Sequence, residues 1–354
     1  PTVVTFGTIG TPSISNGAAP TTFCQGGSVT LTATSIVAGY TYQWYNNGTA
    51  ISGATSATYS ATVSGAFTFT QTNGGVTSSM SNAINVTVNM PATATATAGG
   101  PTTFLQGSNV TLTSNTGTGF TYQWYNSTTL ITGATSASFT ATTTGSYNVR
   151  ITDANGCVSS PSNTIAVTAN AIPTPTISAG GPTTFCAGAN VVLSTTVMAG
   201  MTYQWYNNGT AIAGATSSTY TATASASYTV KYINGASSSS ISTATTVTVN
   251  ALPSATITPS GATTLTQGSS VTLNAVTGAN LSYQWNLNGT AIAGATSSSY
   301  VVTSTVVATL NYTVTVTNTL TNCVSTTGSP TVVTFGTIGT PSISNGAAPT
   351  TFCQ

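Results

Sequence analysis

Apolar and polar residues alternate along this chain in short runs. Asn109-Val110-Thr111-Leu112-Thr113 and Tyr122-Gln123-Trp124-Tyr125 place every second side chain on one face, the period of a half-buried β-strand. No run shows the period of a helix. Gly133, Gly145 and Asn155-Gly156 break the alternation, and Asn-Gly follows a tryptophan run at Asn47-Gly48, Asn208-Gly209 and Asn288-Gly289. Both residues tolerate positive φ, which a two-residue hairpin requires. About seven such strands in about 80 residues predict an all-β sandwich of two antiparallel sheets.

Strand parity names the inward set. In the first stretch it is Val29, Leu31, Tyr42, Trp44, Tyr59, Phe67, Phe69, Val86 and Val88. In the second it is Val110, Leu112, Tyr122, Trp124, Phe139, Tyr147, Val149, Ile165 and Val167. The Thr, Ser and Asn between them face out. At roughly 1.5–3 kcal/mol for each large side chain buried, such a set offsets much of the chain entropy of a small module.

The pattern repeats on two scales. Tyr-Gln-Trp occurs at residues 42–44, 122–124, 203–205 and 283–285, with tryptophans 80, 81 and 80 residues apart, and Pro1–Gln25 recurs letter for letter as Pro330–Gln354, an offset of 329. The chain is a window on a tandem array of modules of about 80 residues. Boundaries follow from a recurring Asn-and-proline end signal, at Asn89-Met90-Pro91, Asn170 to Pro173 and Asn250 to Pro253. They give modules at 9–89, 90–170, 171–250 and 251–337. Residues 1–8 form the last strand of a preceding module and 338–354 the first strand of a following one. The fourth module is longer, with 27 residues from Trp285 to Tyr312 where the others have 23.

Composition then removes whole classes of function. Only Arg150, Asp153 and Lys231 carry formal charge, and the chain has no histidine and no glutamate. A net charge of +1 provides no basic surface for phosphates, so nucleic acid is not a partner, and no run of about 18 apolar residues implies membrane insertion. Acid–base catalysis has no dyad or triad to assemble, so the chain is not an enzyme. One aspartate cannot cage calcium, and zinc lacks histidine or clustered thiols; no metal and no cofactor is expected.

At this point the motifs resemble a known family. Gly26 to Ala33 (G-x-S-V-T-L-x-A), Tyr42 to Gly48 (Y-x-W-Y-x-N-G), Ile51 to Thr55 (I-x-G-A-T) and Gly65 to Phe69 are similar to the immunoglobulin-like repeats of giant bacterial cell-surface adhesins and filament proteins, of the Bacteroidota type exported by the type IX system. The resemblance implies a tandem array of immunoglobulin-like β-sandwich modules at a cell surface. Ala33 and Phe69 stand where animal immunoglobulin domains carry the intersheet disulfide, so Trp44 must pack on apolar side chains instead.

The five cysteines occupy two kinds of position. Cys24, Cys186 and Cys353 fall just before strand B, the first long strand of their modules; Cys157 and Cys323 follow a late hairpin turn. No module holds both kinds, which excludes a bond within a module. Counting across junctions predicts Cys157–Cys186 and Cys323–Cys353, with Cys24 paired outside the window. A geometric objection applies, because in an end-to-end string the late turn lies far from the succeeding module, and a disulfide needs Cα atoms within about 7 Å. The bond then requires a module folded back, a first strand reaching over its predecessor, or a partner on a neighbouring chain.

Among surface candidates, Arg150 and Lys231 occupy equivalent solvent-facing positions, Arg150 with Asp153 in reach across the turn. Tyr45, Tyr125 and Tyr206 have outward parity beside the core tryptophan, and Asn286 breaks the row. They are either half covered by the neighbouring strand or platforms for sugar rings or lateral packing. The economical function is a structural, non-enzymatic repeat unit of a long extracellular fibre, partnered with copies of itself. An uncharged surface permits close lateral packing, since net charge is what keeps proteins apart. The alternatives are the passive stalk of a giant adhesin, and a carbohydrate-binding array whose partner is a surface polysaccharide.

Overall fold

The computed structural model describes residues 7–337 and 339. Cys353, most of the strand expected over 1–8 and nearly all of 338–354 lie outside the described residues. Those described form strands and turns without a helix. By Cα proximity the chain divides into two units, one running through Ile172 and including Asn234–Ser238, the other comprising Pro173–Ile233 and the chain from Ser239.

In the first unit the leading sandwich consists of β1 (Ile14–Ser15), β2 (Thr22–Cys24), β3 (Val29–Ala33), β4 (Thr41–Asn46), β5 (Thr49–Ala50), β6 (Thr58–Ala61), β7 (Gly65–Asn73), β8 (Val76–Thr77) and β9 (Ile84–Asn89). One sheet has the order β1-β3-β6; the other has β2-β9-β7-β4-β5, with β8 hairpinned on β7. All pairings are antiparallel except β2 on β9, which run parallel with Cys24 opposite Asn89. The second strand of this sandwich and its last therefore lie side by side and end at the same pole. The second sandwich repeats the order, with Thr103–Leu105 parallel to Ile165–Asn170. In the second unit Thr184–Cys186 runs parallel to Thr245–Asn250, and Thr264–Thr266 to Thr331–Gly336.

The expected inward residues fill the core. Val29, Leu31, Trp44, Phe67, Phe69 and Val86 are buried, while Tyr42, Tyr59 and Val88 pack at its margin. Trp44 is completely enclosed, stacked on Tyr59 and edge-on to Phe69, so an aromatic ring occupies the space an intersheet disulfide would take. Its indole N–H donates to the Ser56 carbonyl at 2.8 Å, and Trp124, Trp205 and Trp285 make the same bond to Ser136, Ser217 and Ser297. A buried indole without that acceptor would lose its hydrogen bond to water with no replacement. The segment Ile51-Ser52-Gly53-Ala54 supports it by returning alongside β4, where Trp44 N–H donates to Ala54 and Ile51 N–H to Trp44.

The hairpins form as the dipeptides predict. Asn47 and Gly48, Asn208 and Gly209, and Asn288 and Gly289 all have positive φ, and in the second sandwich Ser127 adopts the same conformation. Each of these asparagines also accepts a hydrogen bond at its side-chain oxygen from the start of the long strand that follows, from Ala66, Ser227 and Asn311.

In the second unit, burial raises the pKa of Tyr228 above the ordinary phenol value, reinforced by Tyr220 and partly offset by the backbone at Ala224. Tyr312 is raised in the same way, by burial and then by Tyr300. The folded state therefore holds these protons at a pH where the unfolded chain releases them. Their contribution is complete below the unfolded value of about 10 and is lost as pH climbs above it. The melting temperature of the second unit is expected to fall as pH rises above about 10, and an unchanged value there would contradict the burial of both phenols.

Candidate functional site: bridged ends of consecutive sandwiches

Two disulfides join consecutive sandwiches, Cys24–Cys157 within the first unit and Cys186–Cys323 within the second, with Cα atoms 5.5 and 5.6 Å apart. This corrects the expected partners. Cys157 bonds backward to Cys24 and not forward to Cys186; Cys323 bonds backward to Cys186 and not to Cys353; and Cys24 is satisfied inside the chain. Topology supplies the reason. Strand β9 leaves the sandwich at the pole facing its successor, and β2, parallel to it, delivers Cys24 to that same pole. The hairpin before the last strand turns at the opposite pole, facing the predecessor. A late cysteine thus meets the preceding module's early one, and neither folding back nor a second chain is needed.

The turn that carries Cys157 is organised by the chain's only carboxylate. Asp153 accepts at Oδ1 from the N–H of Asn155 and of Cys157, at 2.9 and 3.0 Å. Its backbone closes the turn, with Gly156 N–H donating to Asp153 O and Asp153 N–H to Cys157 O. Asn318 does the equivalent before Cys323, accepting at Oδ1 from Leu320 and Thr321. Arg150, though in reach of Asp153, does not pair with it. Arg150 instead lies over the Tyr125 ring at 6.0 Å, and Lys231 over Tyr206 at the same distance. In the first sandwich Thr70 donates to the Tyr45 hydroxyl. All three tyrosines are half-buried, with these side chains over them.

Asp153→Ala is expected to remove two hydrogen bonds to a charged acceptor, roughly 1–3 kcal/mol of turn stability, and to lower the yield of Cys24–Cys157 on oxidative refolding as read by peptide mapping. Asp153→Asn should restore it, because Asn318 already performs the task in the fourth sandwich. Equal yields from the alanine variant and the parent would remove Asp153 from this role.

Two further devices within the sandwiches escaped sequence reasoning. The glutamine of each Tyr-Gln-Trp donates from Nε2 to two carbonyls at once, Gln43 to Trp44 and Ile51, Gln123 to Trp124 and Ile131, with Gln204 and Gln284 alike. Each clips the returning segment onto the tryptophan strand. Asn82 and Asn163 imitate a strand partner. Asn82 accepts from Ile14 N–H and donates to Ile14 O, and Asn163 does the same at Ala96, pinning the first strand of each sandwich. The regular recurrence of Gln before Trp was the available signal for the first device. The second had none, because its partner lies 68 residues away in one case and 67 in the other.

Beside the first bridge lies an open notch of about 390 Å³ between Gln25, Gly26, Pro91–Ala94, Val158, Ser160 and Pro161. No charged or aromatic side chain lines it, so it offers neither ion pairing nor stacking. The recess at Tyr125, Asn148 and Arg150 is only about 130 Å³, well below the ~300 Å³ at which small-molecule sites begin. No group of three or more metal-ligating side chains occurs among the described residues.

Residues 91–171, the second sandwich, match the family model for the Ig-like domain CHU_C associated. The chain is an all-β array of immunoglobulin-like sandwiches. No curated protein matches it in sequence. Among solved structures, the D1–D4 ectodomain fragment of ICAM-5 is 14% identical, with 92% of this chain and 99% of that one covered and a TM-score of 0.41. The N-terminal eight Ig domains of Down Syndrome Cell Adhesion Molecule are 14% identical, with 92% and 48% covered and a TM-score of 0.35. This chain spans about half the length of that fragment. The human OSCAR ligand-binding domain is 17% identical, with 45% and 100% covered and a TM-score of 0.23.

Proposed function

We propose that this chain is a passive structural segment of a long extracellular fibre, exported by a bacterium of the type the motifs resemble, whose copies associate side by side. The observation that carries the reading is the covalent joining of consecutive sandwiches by Cys24–Cys157 and Cys186–Cys323. Such bonds persist in oxidising surroundings and are rare in the cytosol. A bond between domains, not within one, secures the connection between repeats. Lateral association follows from a surface almost without charge, on which Thr, Ser and Asn can approach their copies without repulsion at any salt concentration.

The test is electron microscopy of the purified chain at moderate salt. Ordered side-by-side bundles are expected. Dispersed, single extended particles at every concentration would exclude self-association and leave the stalk of an adhesin as the better description.

A further inference from the structure

We infer that the two bridges are tension shunts, carrying a pulling force past the interiors of both sandwiches they join. The inference rests on the force-bearing part of the reading above and not on bundling. Cys24 sits at the end of β2, before every long strand of the first sandwich, and Cys157 follows every long strand of the second except the last, Ile165–Asn170. Tension entering at β1 and β2 reaches Cys24, crosses the sulfur–sulfur bond to Cys157, and leaves through Ile165–Asn170. The strands from Val29–Ala33 to Gly145–Thr152 are off that path.

The second bridge repeats the arrangement between Cys186 and Cys323. The bridges enclose 133 and 137 backbone steps, together 270 of the 329 in one period. At ~3.3–3.6 Å per residue, roughly 900 Å of contour per period is withheld from extension while the bridges hold. The strands left on the path are reinforced where they join the sandwich. Asn82 grips β1 on both sides of Ile14, β2 is paired along β9, and the Gln25 N–H donates to Asn89 O.

The cysteine pattern fits this division. Leu105 and Thr266 stand where Cys24 and Cys186 stand in the other two sandwiches, and the two sandwiches without a late cysteine have tight turns at Asn73-Gly74-Gly75 and Asn234-Gly235. Stiff, shunted pairs alternate with unbridged joints. A dithiol opens the shunt by exchange. Its thiolate attacks one sulfur, the second thiol displaces the mixed disulfide, and two electrons and two protons leave Cys24 and Cys157 as thiols while the dithiol becomes a cyclic disulfide. Cys157 and Cys323 are fully buried but Cys24 and Cys186 are partly exposed, so attack comes from the early cysteine's side.

Single-molecule pulling of the full 354-residue chain, held by its ends, tests this after peptide mapping has confirmed both bridges. Without reductant no release of a whole module is expected. After the folded chain is exchanged into dithiothreitol, four releases should appear, each of about 80 residues or roughly 250 Å. Cys24→Ser with Cys157→Ser should give two such releases without reductant. Whole-module releases from the bridged chain, or mapping that shows other cysteine pairs, would overturn the shunt. Should the double variant fold poorly, in-place reduction of the parent still decides. Failure to form bundles would remove the lateral-association reading and leave the pulling result intact.

Discussion

Trp124→Ala is expected to destabilise the second sandwich by about 3–5 kcal/mol and open it to protease while the first stays closed. Trp124 is entirely enclosed, stacks on Phe139 and donates to Ser136 O. Truncating such a side chain costs about 3–5 kcal/mol, and a domain of this size has only about 4–12 kcal/mol of stability in total. The loss is not only of area. The Ser136 carbonyl loses its donor, and the ring that holds Phe139 against the opposite sheet is gone. Limited proteolysis should cut within residues 90–170 in the variant and spare 9–89. Trp124→Phe should be milder because the ring stack survives. A Trp124→Ala chain as protease-resistant as the parent would mean that the indole is not the centre of the core.

Reduction of the bridges is expected to cost about 4–5 kcal/mol of resistance to urea in each unit, from the loop entropy restored to the unfolded chain. The estimate holds even when one sandwich opens alone. With the first sandwich folded, Cys24 lies beside Asn89, so an unfolded second sandwich is still closed into a ring by Cys157. At a urea dependence of ~1–3 kcal/mol per molar for small domains, the midpoint should fall by more than about 1 M on adding dithiothreitol. Cys24→Ser with Cys157→Ser should lower it in the first unit alone. Coincident curves with and without reductant would show that the bridges do not constrain the unfolded chain.

Much of the architecture was legible in the sequence because it depends on local rules. Alternation located the strands, Asn-Gly located the hairpins, and parity placed Trp44, Phe67 and Phe69 inside. The direction of the cysteine pairing was not legible from counting. A late cysteine in the second and fourth modules has an early cysteine on either side, so Cys157 correlates equally well with Cys24 and with Cys186. Nearness along the chain favours Cys186. Nearness in space is set by the parallel strand β2, a three-residue element too short to stand out in the pattern. Its placement decides which pole Cys24 occupies. Arg150 raised a similar difficulty. Three residues from Asp153 it has an obvious ion-pair partner, yet the aspartate is engaged by the turn and the guanidinium takes the ring of Tyr125.

The pairing of each sandwich's second strand with its last also bears on how such a gene can change. Because every strand pairing lies within one module, a crossover that inserts or deletes a whole module breaks no ladder. The cysteines impose a stricter rule. Losing one module of a bridged pair orphans a thiol, whereas losing both leaves every remaining sulfur matched. Array length should therefore change by even numbers of modules, and most readily by the 329-residue offset at which Pro1–Gln25 recurs letter for letter.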